Sequence, residues 1–210
     1  MRRGPKPAKS KEAKPPVARK SPKDDRSRVG DLEKRLAEAL RDKSEALEQQ
    51  AVTAEILPVI SRSPADVQPV FDAITTNALR LCAAAGSGVY LFDGELIHVA
   101  ALRHIDAVGT AAVRRAYPMP PSRGGANARA ILTLEVVYIR DVLKDPEYKL
   151  ASTAAAVGYR SIMAVPMLHE GKAIGVIAVN APDVAAFSEK HMELLKTFAD
   201  QAVIAIENVR

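Results

Sequence analysis

Residues 157–210 read VGYRSIMAVPMLHEGKAIGVIAVNAPDVAAFSEKHMELLKTFADQAVIAIENVR. Two apolar runs, 161–169 and 172–180, flank Glu170-Gly171. Both are short, rich in Val, Ile and Ala, and bounded by turn residues, which is the pattern of a strand buried on both faces. Gly at the second turn position permits the backbone conformation that a tight two-residue hairpin needs. After the break at Pro182-Asp183, Ser188 is placed to cap a helix. Leu195, Phe198, Ala202 and Ile206 then recur at helical spacing, and Leu194 and Ile204 make a second apolar face. The closing unit is therefore strand, turn, strand, helix, with the helix running to Arg210.

Working back from there, GSGVYLF at 86–92 reads as a strand and Asp93-Gly94 as a two-residue hairpin signal, with 95–102 as the return strand. Residues 66–83 read as a helix. Pro69 falls in its first turn, where a missing N–H costs least, and Val67, Val70, Phe71, Ile74, Ala78 and Leu81 form one face. Between the hairpins come an Ala-rich helix at 106–117, the loop PMPPSRGG at 118–125, and a short helix at 126–134. A short strand at 136–139, a loop at 141–148 and a helix at 149–157 ended by Gly158 follow. Two hairpins make the sheet mainly antiparallel. The fold class is α+β, with helices on both faces of one sheet.

The chain has 210 residues and a net charge of +5, but the charge is uneven. Residues 1–28 hold eleven Lys or Arg against three acids, a net of +8, so the remainder stands at −3. Five prolines and almost no large apolar residue lie in that stretch. It cannot bury enough surface to offset the entropy of ordering, and the expectation is a disordered tail. Such a tail either serves solubility with no partner or makes electrostatic contact with nucleic acid or an anionic membrane. Residues 29–60 are dense in helix formers. Val29, Leu32, Leu36, Ala39, Lys43, Ala46, Gln50, Thr53 and Leu57 alternate at spacings of three and four, a heptad-like seam interrupted at Lys43 and Gln50 that predicts a parallel dimeric coiled coil, the alternative being a lone helix packed on its own domain. The domain plan is thus tail 1–28, coiled-coil helix 29–60 and globular domain 64–210. No apolar run approaches the roughly 18 residues that cross a bilayer, and there is no secretory signal. A single cysteine, Cys82, rules out an internal disulfide and suits a reducing, cytoplasmic setting.

VPMLHEGKAIGVIAVN followed by FSEKHMELLKTFADQAVIAIEN resembles the end of a GAF domain, and the likeness extends over about 67–210. LEQQAVTAEILPVISRSPADVQPVFDAI is similar to the linker and first helix that precede GAF domains in bacterial sensor histidine kinases and nucleotide cyclases. The resemblance implies a non-catalytic sensory or regulatory module. It would bind a small molecule or partner on one sheet face and form a homodimer through its first and last helices. Its effector, a kinase or cyclase, would be a separate protein or another part of a longer chain. A dimerising scaffold with no ligand is the alternative.

GAF-fold reductases of free methionine sulfoxide need several cysteines, since a nucleophilic thiolate requires a resolving partner; Cys82 stands alone on a buried helix face. His98, His104, His169 and His191 show no close ligand spacing, so no metal is expected. His191 lacks the following acid and proline of a phosphoacceptor helix and is expected to face solvent. Asn127 and Asp141 lack the partner Lys and Phe of the cyclic-nucleotide signature. No catalytic residue and no cofactor are identified. For a ligand cavity the candidate residues are Tyr90, His98 and Tyr138 as polar edges, Arg140 and Asp141 after the third strand, and Tyr159 and Arg160 before the fourth.

Overall fold

The computed structural model describes residues 34–36, which are helical, and 66–209; the two stretches belong to separate units of the chain. The tail at 1–28 and, apart from 34–36, the coiled coil at 29–60 lie outside the described residues.

The domain opens with α1 (Gln68–Leu81), then β1 (Gly86–Phe92) and β2 (Ile97–Arg103). Two helices follow, α2 (Ala107–Ala116) and α3 (Ala126–Thr133), and then β3 (Val137–Ile139) and α4 (Ala151–Val157). It closes with β4 (Ser161–His169), β5 (Lys172–Ala181) and α5 (Glu189–Val209). The strands form one sheet in the order β2-β1-β5-β4-β3, and each neighbouring pair is antiparallel. The element order is the one the sequence predicts.

Alternation along the central strands builds two cores. Val89, Met163, Val165, Ile177 and Val179 face Phe71, Ile74, Leu195 and Phe198 of α1 and α5. Their chain neighbours Tyr90, Ile162, Ala164, Val176 and Ala178 face the other way, toward Val113 of α2, Ala130 and Ile131 of α3 and Ala154 of α4. Both faces are covered, which is why these strands read as continuous apolar runs. Where β1 pairs with β5, Gly175 is obligatory: a Cβ there would run into Met167 Cε and the Tyr90 carbonyl oxygen.

The two hairpins differ. His169 pairs with Lys172, and Glu170 and Gly171 both have positive φ (49° and 76°), the tight turn that the sequence predicts. The first hairpin departs from expectation. Phe92 pairs with Ile97, so four residues make the connection and β2 starts two residues late. The Asp93 side chain accepts from the Glu95 and Leu96 N–H groups at 2.9 and 2.7 Å and holds them out of the ladder. Among the described residues no helix is long and apolar enough to cross a membrane.

Candidate functional site

On the α2/α3/α4 side of the sheet lies a cavity of about 30 Å³. Its floor is Gly88 and Tyr90 of β1, Ile162 of β4, and Ala178 and Asn180 of β5. Tyr117, Asn127, Tyr148 and Tyr159 bring polar groups in from the loops and α3. Four of the five tyrosines in the sequence therefore converge on one small space. Gly88 makes room for one of them, because a Cβ there would stand 2.9 Å from the Tyr90 ring.

The polar groups are partly paired. Asn127 is 4% exposed; its Nδ2 donates to the Tyr117 hydroxyl at 2.9 Å, while its Oδ1 is buried with no hydrogen-bond partner. The Tyr148 and Tyr159 hydroxyls lie 2.6 Å apart. The Tyr90 and Tyr117 rings pack at 4.9 Å between centroids. Burial, above all, pushes the hydroxyls of Tyr90, Tyr117, Tyr148 and Tyr159 above the ordinary phenol value, so each stays protonated and neutral.

Charged residues hold this wall together from outside. Arg129 pairs with Asp145 at 2.9 Å, and both side chains are mostly buried. Arg123 binds Glu147 with two hydrogen bonds, and the Lys149 N–H donates to the Gly124 carbonyl at 2.8 Å. These links stitch the 118–125 loop to the segment that delivers Tyr148. Arg160 clamps Asp141 with Nε and a terminal nitrogen at 2.9 and 2.7 Å, fixing the start of β4 beside Tyr159. The Arg160 guanidinium holds the Asp141 carboxyl below its usual range.

Of the seven residues proposed from sequence, Tyr90 and Tyr159 line the cavity. The other five stand elsewhere. His98 is exposed and bonded to Asp93 at 2.7 Å. Tyr138 lies on the opposite face, where its hydroxyl accepts from the Phe187 N–H at 2.8 Å. Arg140 is exposed, 5.8 Å above the Tyr138 ring. Asp141 and Arg160 bind each other outside the lining. Tyr117, Tyr148 and Asn127 were missed as lining residues; the only signal was that five of the nine aromatic residues are Tyr. His191, expected to face solvent, is half-buried with its ring 6.2 Å from that of Phe187.

A second concavity, an open groove of about 460 Å³, runs between α5 and β4 past Leu134, Val136, Pro166, Leu168 and Met192. Its volume suits a ligand better; the charged residues on its wall are Glu135, Lys196 and Asp200, and Lys196 is engaged by Glu193 at 2.7 Å. Cys82 belongs to neither place. It is 1% exposed in the α1/α5 core, and burial pushes its thiol up to about 12. Among the described residues no group of three or more His, Cys, Asp or Glu is placed to hold a metal ion.

The family profile described as "GAF domain" matches residues 64–207, more than half of the chain. The chain belongs to the GAF domain family. The fold recurs in free methionine-R-sulfoxide reductase from Neisseria meningitidis at TM-score 0.64 and 21% identity, covering 80% of this chain and 92% of that one. It recurs in the GAF domain of a phosphoenolpyruvate-protein phosphotransferase from Coxiella burnetii at 0.66 and 13%, covering 79% and 96%. Residues 122 to 287 of a methyl-accepting chemotaxis protein align at 0.60 and 22%, covering 75% and 96%. At these identities the likeness is one of fold. No curated protein in the comparison matches the chain.

Proposed function

We propose that this GAF domain is a non-catalytic, cytoplasmic sensory or regulatory module. It takes a small molecule in the tyrosine-lined cavity and passes the occupancy through the sheet to α1 and α5. The observation that carries this reading is the buried, unpartnered Asn127 Oδ1 beside four converging tyrosines. An unsatisfied buried acceptor costs about 1–3 kcal/mol, and a ligand donor removes that cost. The relay is short. Tyr90 and Ala178 face the cavity, while their neighbours Val89, Ile177 and Val179 pack into the core that holds Phe71 and Phe198. A ligand that displaces β1 or β5 therefore shifts the seat of the two helices, and an effector kinase or cyclase reads their pose.

Three facts bear on the non-catalytic part. Cys82 is the one cysteine of the sequence, it lies across the sheet from the cavity, and its thiol is held protonated. A thiolate attack on methionine sulfoxide would lack both nucleophile and resolving partner. The volume of about 30 Å³ favours a second reading, a dimerising scaffold whose pocket stays closed. Thermal melting against a small-molecule collection separates the two. A sensor gives hits that raise the melting temperature of the wild type and of Cys82→Ala but not of Asn127→Leu; a scaffold gives none. Thiol-dependent turnover of free methionine sulfoxide would overturn the non-catalytic assignment.

A further inference from the structure

The chemistry of the ligand is written in what lines the cavity. None of its lining residues is Asp, Glu, Lys, Arg or His. The ion pairs nearby in sequence, Asp141–Arg160, Arg123–Glu147 and Arg129–Asp145, neutralise themselves outside the lining. An ionic ligand would bury its charge with no counter-ion, which is far costlier than burying a neutral polar group. What the site offers is hydroxyls, two side-chain amides (Asn127 and Asn180), and apolar or aromatic walls that include Ile105, Val113 and the Tyr90–Tyr117 ring pair.

Asn127 sharpens the demand. Its Nδ2 donates to Tyr117, its side chain also hydrogen-bonds Tyr90, and its Oδ1 is buried without a hydrogen-bond partner. A primary carboxamide supplies an N–H donor for Asn127 Oδ1 and, in the same plane, a carbonyl that can accept from a neighbouring tyrosine hydroxyl. We propose that the cavity recognises a small, planar, uncharged molecule carrying a carboxamide-type group, and that it rejects the charged isosteres of that molecule. This rests on the reading of the cavity as the sensor site. At about 30 Å³ the space holds roughly one water, so a ligand of this size requires a wall to open, and α4 is one of the walls. That helix has only seven residues and contributes Thr153 and Val157 to the wall.

Benzamide, benzoate and benzamidinium share a shape and differ in charge. Isothermal calorimetry of the full chain with all three, at pH 7, is the test. The expected result is that benzamide binds and the two ions bind at least tenfold more weakly, a difference of about 1.4 kcal/mol. Asn127→Leu should lose benzamide by a similar factor, and Asn127→Asp should move the preference toward benzamidinium. If either variant fails to fold, the wild-type series alone decides the ligand class. Equal or tighter binding of an ion overturns the neutral class while leaving the site in place. No binding by any of the three overturns the class as well, and the melting screen with Asn127→Leu then decides whether the site itself survives.

Discussion

At the scale of single residues, burial decides which groups can react. Cys82→Ala removes one sulfur from a packed core and should cost about 1–2 kcal/mol, with ligand hits unchanged. Cys82→Asp places an unpaired charge in the same core and should not fold stably. The native thiol, held up to about 12, should resist alkylation at pH 8 until the protein unfolds; rapid labelling would reopen the redox reading. The Asp141–Arg160 clamp predicts a pH dependence. Its carboxyl is held below the ordinary value near 3.8, so the folded state binds fewer protons than the unfolded one. The stabilisation is complete above that value and is lost as pH falls through the lower, folded one. Asp141→Asn should therefore melt lower than wild type at pH 7 and show a flatter loss below about pH 4. Parallel acid limbs for the two proteins would contradict this.

At the scale of elements, close packing and turns set the costs. Gly175→Ala drives a methyl group into the Tyr90 carbonyl, where backbone must move, and should cost about 3 kcal/mol or abolish folding. Gly171→Ala has open space around it and strains only φ, so about 1 kcal/mol is expected by urea unfolding. Elements were legible where pattern and turn agreed. The β4–β5 hairpin declared itself because both its faces are buried and Glu170-Gly171 fits one turn. The β1–β2 hairpin was misplaced because the Asp93 side chain captures two N–H groups, a competition that alternation cannot register. The site was less legible. Tyr138 pairs with Met163, which faces α1 and α5, so strand parity puts it on the wrong side of the sheet for the cavity. Tyr117 and Tyr148 sit in a helix cap and a loop, where no periodicity reports direction. The salt-linked clamp of Arg123, Arg129, Asp145 and Glu147 spans up to 24 residues and leaves no local mark.

At the scale of the whole molecule, we propose a homodimer formed through 29–57 and α5, with Ile204 left 54% exposed on that helix. Removing residues 1–28 should leave the melting temperature unchanged, and any binding of DNA or anionic vesicles by the full chain should weaken steeply with salt. Salt-insensitive binding would argue against an electrostatic tail. The central claim, a sensory cavity on a dimerising GAF domain, is tested most directly by native mass spectrometry of the freshly purified full chain. The expected species is a dimer that carries a small uncharged molecule, which the Asn127→Leu dimer lacks. A bare monomer at high micromolar concentration, or a bound molecule retained equally by Asn127→Leu, would contradict it.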